Sequence, residues 1–463
     1  MKIDPNLIDR WDKEYIWHPY TQMKEYENSK NLIIEKGEGN YLIDIHGKKY
    51  LDAVSSIWCN MFGHGEKRII DAIKNQTEKI CHSTLLGCGN VPSAVLAKKL
   101  VDITPEHLKK VFYSEDGAEA VEIAVKMAFE YYLLKEGKSS KRNKFISVKE
   151  GYHGDTIGAM SVGGSETFHG YFKPLLFKGY YAETPYCYRC KHHNFKDTDE
   201  RNEKGCDMKC LENMKDLIEK HKDEVFCVIF EGGMMGSAGM IPYPEGYIEE
   251  VAKTCKEHDI IFILDEVATF GRTGKLLYSD NEELKKLEKP DIICLGKGIT
   301  GGYLPLAVTM TTEEIYNAFL GDFEECKQFF HGHTYTGNQI LCSAGIATLD
   351  IIEQDKIFEK IQPKIKLFHE ELEKLKELEN VGDIRKKGFM VGIELVKDKK
   401  TKEPYPYEYK AGYKVAEILL QKGIYMRPIF NTIILVPPLS ITEDEIKFLC
   451  EKLYESIEEF SKL

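Results

Sequence analysis

Ile260-Ile261-Phe262-Ile263-Leu264 running into Asp265-Glu266, and Ile292-Ile293-Cys294-Leu295 running into Gly296-Lys297, are short apolar, largely β-branched runs that stop on polar residues. Runs of this length, apolar throughout, read as strands buried on both faces. Three more precede them. Val111-Phe112-Tyr113 leads into the stretch Ser114 to Ala118, Phe145-Ile146-Ser147-Val148 into Gly151-Tyr152-His153-Gly154-Asp155, and Val228-Ile229-Phe230 into Glu231. Longer segments of helical periodicity separate these runs, so from about residue 111 to 310 the rhythm is strand–helix and the sheet is expected to be mainly parallel. Ligands of open α/β sheets bind at the carboxyl ends of the strands, which is where the polar residues gather. Five such junctions predict one shared pocket.

The C-terminal third has a different pattern. A charged amphipathic helix is expected over about 356–378, then a strand at 391–395, a helix near 409–421, a short strand at 433–436 and a last helix. That helix opens at Thr442 with Glu445 three residues on, a capping box. The predicted organisation is α/β: residues 1–64 join a smaller α+β domain at 326–463, and 65–325 form a large domain with a polar insertion at 185–212.

At 463 residues, with 43% hydrophobic and 11% aromatic residues, the chain can bury a large core. Its 75 acidic residues against 63 basic ones give a formal net charge of −12, which argues against a nucleic-acid partner. No apolar run approaches the ~18 residues of a membrane span. The start, Met1-Lys2-Ile3-Asp4-Pro5-Asn6, lacks a basic stretch followed by an apolar one, so export is not expected. The 13 cysteines are an odd number, and most stand alone in apolar stretches (Cys227, Cys255, Cys294, Cys342). Buried reduced thiols and a cytoplasmic location fit that pattern.

Three positions carry candidate chemistry. Asp116-Gly117-Ala118 opens a segment with Val121, Ala124, Val125, Ala128 and Tyr132 at helical spacing. A helix that begins on small residues leaves backbone N–H groups free for a phosphate, although most such turns hold nothing. Lys297 follows a buried strand and sits among glycines. An amine there has its charged form disfavoured and is a good nucleophile towards an aldehyde; a side chain escaping to solvent is the alternative. Asp265 ends an apolar strand, where a carboxylate must be paired: beside a cationic heterocycle it would keep a ring nitrogen protonated, and otherwise it caps a helix or joins an ion pair.

Longer motifs surround these positions: Trp17-His18-Pro19-Tyr20-Thr21-Gln22-Met23, the run from Gly151 to Met160, Asp265-Glu266-Val267-Ala268-Thr269 with Gly271-Arg272-Thr273-Gly274, the run from Leu295 to Gly302, and His331-Gly332-His333-Thr334-Tyr335-Thr336-Gly337-Asn338. From about Trp17 to the C-terminus the chain resembles the class III, fold-type I aminotransferases that use pyridoxal 5'-phosphate, and within them the enzymes that make 7,8-diaminononanoate in biotin synthesis. The resemblance implies that Lys297 attaches the cofactor aldehyde, that Asp265 pairs with the pyridine nitrogen and that Tyr152 stacks on the ring. It further implies that Gly117 and Ala118 hold the phosphate, with Thr334 reaching it from the other subunit of a homodimer. Tyr20, Ile57, Trp58, Tyr152, Gly332 and Arg427 would face the substrate, the arginine suiting the distant carboxylate of a long keto acid. Asp155 and Glu231 would support the site. The implied reaction converts 8-amino-7-oxononanoate to 7,8-diaminononanoate with S-adenosylmethionine as amino donor. Lysine as donor, or an ω-aminotransferase acting on ornithine, diaminobutyrate or 4-aminobutyrate, are the alternatives. A transcription regulator with an aminotransferase-like domain would need an appended basic region, which residues 1–60 do not provide.

Three departures from the family pattern stand out. The loop after Asp265 is one residue shorter, because Thr269 is followed directly by Phe270; Glu231 is followed by Gly232 rather than proline; and Ile57-Trp58 replaces a frequent pair of tryptophans. Separately, Cys187-x2-Cys190 and Cys206-x3-Cys210 resemble a zinc-knuckle spacing, with His192 and His193 nearby. Because the second pair carries an extra residue, a reduced surface loop without metal is the favoured reading of this cluster.

Overall fold

The five predicted junctions fall on one seven-stranded sheet. Its strands are β1 (Leu108–Ser114), β2 (Lys144–Val148), β3 (Tyr180–Ala182), β4 (Val225–Glu231), β5 (Ile261–Asp265), β6 (Ile292–Leu295) and β7 (Ala307–Thr312), in the spatial order β1-β7-β6-β5-β4-β2-β3. β7 runs antiparallel to both its neighbours, and every other pairing is parallel. The computed structural model describes residues 3–201 and 205–463. The first two residues of the N-terminal segment and positions 202–204 of the predicted insertion lie outside the described residues.

The central strands are apolar throughout because both faces are covered. Every residue of β4, β5 and β6 is buried, as a parallel sheet sandwiched by helices requires. Cys227, Cys255, Cys294 and Cys342 are all fully buried, as their apolar neighbourhoods predict. One covering helix, Gly117–Glu136, buries nine residues, among them Val121, Ala124, Val125, Ala128 and Tyr132. Asp116 caps it by accepting a hydrogen bond from Glu119 N at 3.1 Å.

In the C-terminal third the last helix, Glu443–Phe460, carries the expected Thr442/Glu445 capping box. The single helix expected over about 356–378 is three pieces instead: Ile357–Lys360, Gln362–Glu373 and a 3-10 turn at Lys374–Glu377. Pro363 sits in the first turn of the second piece, and a residue without an N–H starts a helix far more readily than it continues one.

The two ends of the chain meet. An antiparallel meander of Ile34–Glu38, Tyr41–Asp44 and Lys49–Asp52 takes Ile424–Tyr425 as a fourth, parallel strand. Just beyond the meander the backbone makes a left-handed turn: Ser55, Ser56, Ile57 and Trp58 have φ of +48°, +49°, +72° and +66°. Such a conformation costs about 1–2 kcal/mol per residue for L-amino acids, so specific contacts must hold it. Asp52 accepts from Val54 N, Ser56 N and Ser56 Oγ, and Ser55 Oγ donates to Val436 O at 2.6 Å. The fully buried Arg272 guanidinium donates to Trp58 O, Asn60 O, Pro437 O and Ser55 Oγ at 2.9–3.4 Å. One side chain of the large sheet's loop thus ties both chain ends together.

Arg272→Leu strands at least three buried carbonyl oxygens, each costing about 1–3 kcal/mol. A loss of roughly 3 kcal/mol or more, read as a lower denaturation midpoint, is expected; an unchanged midpoint contradicts this role for the guanidinium.

Candidate active site

A cavity of about 790 Å³ opens at the carboxyl ends of β2, β4, β5 and β6, within the size range of cofactor and substrate pockets. All five strand-end junctions contribute to its wall: Glu115 to Ala118, Tyr152 to Thr156, Glu231, Asp265 and Lys297, joined by Trp58 from the left-handed turn. The predicted shared pocket is therefore present.

Lys297 opens a 3-10 turn, Lys297–Thr300, directly after β6, and its own φ is +45°. That left-handed backbone is costly for a residue with a β-carbon, so the surroundings must hold it, and the side chain lines the cavity. Its Nζ lies 4.9 Å from the centre of the Trp58 ring. Burial pushes the ammonium below its usual value, only partly countered by the charges of Asp265 and Glu231. Of the two readings of this lysine, the enclosed amine is the one the geometry supports.

Asp265, the last residue of β5, is buried; one oxygen accepts from Val267 N at 2.9 Å and the other meets His153 Nδ1 at 2.8 Å. His153 is itself buried, and its Nε2 has no partner among the described residues. Its pairing with Asp265 was not anticipated, although the histidine stands in the quoted motif between Tyr152 and Gly154. Glu231 accepts from Tyr152 N at 3.2 Å and Gly236 N at 2.8 Å, and burial raises its carboxyl to about 7. Next along the chain from Asp265, Glu266 is buried too, raised by burial to about 7, and accepts from Tyr278 N and Ser279 N. The Glu231-Gly232 departure has a steric reason: a Cβ at Gly232 would stand 2.8 Å from both Glu266 Cγ and Thr269 Oγ1.

The helix Gly117–Glu136 points its N-terminus into the cavity. A Cβ at Gly117 would lie 2.4 Å from Val267 Cγ1, so the close approach of this turn to the loop after β5 requires glycine. At the cavity mouth Tyr20, Tyr152 and His169 converge on Asp155. Tyr20 donates to Asp155 Oδ2 at 2.5 Å and Tyr152 at 2.9 Å, and His169 Nε2 meets Oδ1 at 3.1 Å. Burial alone would raise the Asp155 carboxyl, but His169 and the two tyrosines outweigh it and hold it low. Burial and the bond to Asp155 push the Tyr20 hydroxyl up to about 12. Arg427 donates to Tyr20 O at 3.0 Å.

Five predicted positions stand apart from the cavity wall: Tyr20 and Arg427 at its mouth, and Ile57, Gly332 and Thr334 further out. Ile57 is 48% exposed on the left-handed turn, and Gly332 and Thr334 are exposed, with Thr334 O accepting from His82 Nε2 at 2.7 Å. The four cysteines of the insertion form a separate cluster.

The residues present fit pyridoxal phosphate. A glycine-led helix N-terminus, an enclosed amine and a buried strand-end carboxylate line one cavity, which is the donor set for its phosphate, its aldehyde and its ring nitrogen. The family model of class-III aminotransferases matches residues 22–457. The chain belongs to this family of pyridoxal-phosphate-dependent enzymes. It is 78% identical over 460 residues to the adenosylmethionine-8-amino-7-oxononanoate aminotransferase of Methanocaldococcus jannaschii, covering 99% of each chain. Identity to the protein of the same name from Aquifex aeolicus is 50%, over 100% of this chain and 99% of the other. The crystal structure of the M. jannaschii protein superposes with a TM-score of 0.93 at 74% identity, covering 98% of this chain and 99% of that one. An ω-transaminase from Pseudomonas jessenii in complex with PMP gives 0.90 at 27% identity, covering 98% of each chain.

A lowered Lys297 pKa means that more of this amine is neutral at pH 7 than of any ordinary lysine. Limiting formaldehyde and borohydride on cofactor-free protein should therefore methylate Lys297 ahead of the exposed lysines at pH 7. The preference should fade towards the ordinary lysine value of 10.5, where surface lysines also lose their protons; uniform labelling at pH 7, read by peptide mass mapping, contradicts the enclosed-amine assignment. Gly117→Ala should weaken cofactor retention, and Val267→Ala in the same chain should restore part of it.

Proposed function

We propose that this enzyme moves an amino group from S-adenosylmethionine to the ketone of 8-amino-7-oxononanoate, forming 7,8-diaminononanoate. The observation that carries the chemistry is the placement of Lys297, Asp265 and the Gly117 helix N-terminus around one cavity. The substrate assignment draws on the two relatives of that name at 78% and 50% identity over nearly the whole chain.

Pyridoxal phosphate, when bound, supplies an electron sink for negative charge at the donor carbon. The remaining steps belong to this chain's residues. Backbone N–H groups at Gly117 and Ala118 bind the phosphate, aided by the positive end of the helix dipole. Asp265, oriented by His153 and Val267 N, would face the ring nitrogen and hold a proton there. Lys297 would hold the cofactor's aldehyde as a neutral amine, and its Nζ, when free, would be the base and acid that moves a proton at the donor carbon. Tyr152 and Trp58 wall the ring in and exclude water. Donor and acceptor use the same cavity in turn, so ping-pong kinetics follow.

For the long keto acid, Arg427 is the group suited to the distant carboxylate: among the described residues no carboxylate lies within 4 Å of its guanidinium, and it abuts Tyr20 at the mouth. We further infer a homodimer in which Thr334 and Gly332 of a second copy complete the cavity, a reading supported by their exposure away from the pocket of their own chain. The thirteen free cysteines favour a reducing cytoplasm, and no described helix is long and apolar enough to cross a membrane. A second reading keeps the acceptor and takes lysine as donor; Ile57 beside Trp58, where relatives carry a second tryptophan, favours it.

Adding one donor at a time to the yellow holoenzyme tests this assignment. S-Adenosylmethionine should bleach the cofactor band without any acceptor, and 8-amino-7-oxononanoate should restore it. Bleaching by lysine alone selects the second reading, whereas bleaching only by ornithine or 4-aminobutyrate removes the biotin assignment. Lys297→Ala should lower turnover at least about 10³-fold, and Arg427→Ala should raise KM for the keto acid far more than it lowers kcat.

A further inference from the structure

The four cysteines of the insertion, unused by the cavity at Lys297, come together in the folded chain. Cys187, Cys190, Cys206 and Cys210 line one cavity of about 180 Å³ together with His192 and His193. We propose that these four sulfurs hold a zinc ion that locks the insertion onto the C-terminal strands.

Each pair comes from a local turn. Cys187 and Cys190 flank a 3-10 turn, Cys187–Arg189, while Cys206 and Cys210 bracket the start of the helix Lys209–His221. The extra residue in the second pair, which counted against a metal in the sequence, is accommodated by the left-handed backbone of Met208, φ +50°. Backbone N–H groups already point at one sulfur of each pair: His192 N donates to Cys190 Sγ at 3.4 Å and Met208 N to Cys206 Sγ at 3.3 Å. The Arg201 guanidinium donates to Cys187 Sγ at 3.3 Å. Donors of this kind orient ligating atoms, and four sulfurs lining one cavity offer a complete ligand set. A set of four soft sulfur ligands selects a closed tetrahedral site, for which zinc is the common occupant.

Among the described residues, the ligand atoms at this end of the insertion that already lie within 4.8 Å of one another are those of His193, Cys206 and Asp207, so the other three sulfurs close on the ion as it binds. His193 Nε2 is engaged by Asp207 Oδ1 at 2.6 Å, so this pair serves as an outer layer beside Cys206 and the remaining coordination falls to the other sulfurs. The ion has a structural purpose. Arg189 Nε donates to Glu394 Oε1 at 2.7 Å, Lys402 Nζ to Tyr188 O at 2.8 Å, and Thr198 N and Oγ1 to Asp383 at 2.9 and 2.6 Å. These bonds fasten the insertion to the strands Val381–Lys387 and Met390–Asp398 and to the loop that follows. A metal joining Cys187 to Cys210 would fix the geometry from which they project.

Elemental analysis of the untagged holoenzyme, purified without chelator, should find about one zinc per chain. Cobalt exchanged into the site should show thiolate-to-cobalt charge transfer and the d–d bands of tetrahedral sulfur coordination. Cys187→Ser and Cys210→Ser should each lose the metal and lower the melting temperature while the cofactor spectrum persists; His193→Ala should keep the zinc. Zinc below about a tenth of an equivalent in the wild-type protein, or a disulfide between any two of the four cysteines found by thiol counting under denaturation, overturns the proposal. Retention of metal by Cys210→Ser with loss from His193→Ala overturns the four-sulfur ligand set.

Discussion

The site depends on two opposite charge requirements met within one cavity. An amine must lose its proton to act as a nucleophile, and a carboxylate close by must keep its charge. Burial pushes the Lys297 amine towards neutrality, so the two groups need different surroundings. Lys297 receives enclosure and, among the described residues, no hydrogen-bonded anion. Asp265 receives a backbone N–H and the His153 ring. Separate strands deliver these surroundings: β5 and β6 are parallel neighbours ending at the same edge, so Asp265 and Lys297 emerge side by side from different chain segments.

The wall facing the lysine is made at a conformational cost. Four consecutive residues without glycine adopt a left-handed turn, and Trp58 is the last of them. Asp52 and Ser55 satisfy that turn locally, while Arg272 satisfies it from the loop that also follows Asp265. The departure of that loop from the family pattern therefore leaves its essential contact in place, since the arginine still reaches Trp58 O, Asn60 O and Pro437 O.

Much of this could be read from the residues. Apolar runs ending in Asp265, Glu231 and Gly296-Lys297 identified both the sheet and its functional edge, because burial on both faces leaves no room for polar residues except at strand ends. The reversed direction of β7 was not distinguishable: Ala307–Thr312 is buried at every position but the last, like the parallel strands of the sheet, and nothing in its residues marks its direction. His153 was overlooked because a lone histidine in a loop carries no periodic signal, and only the fold brings it 112 residues along the chain to Asp265. The break at Pro363 was foreseeable from proline chemistry. Arg272 stood in a quoted motif without a role, because only the fold shows that it is fully buried among backbone carbonyls of both chain ends.

The junction of the chain ends has a consequence for the order of assembly. Ser55 Oγ and Val436 O are 381 residues apart in sequence, and the strand Ile424–Tyr425 completes the meander only after nearly the whole chain is available. Closing so long a loop adds little equilibrium cost, because that cost grows only logarithmically with length, but contacts of such separation form late. The strand ends that carry Asp265 and Lys297 can pair from local neighbours before then. The half of the cavity that grips a phosphate and an aldehyde can thus exist before the half that selects what reacts there, and a cofactor arriving early would template the closure of the tryptophan wall around it.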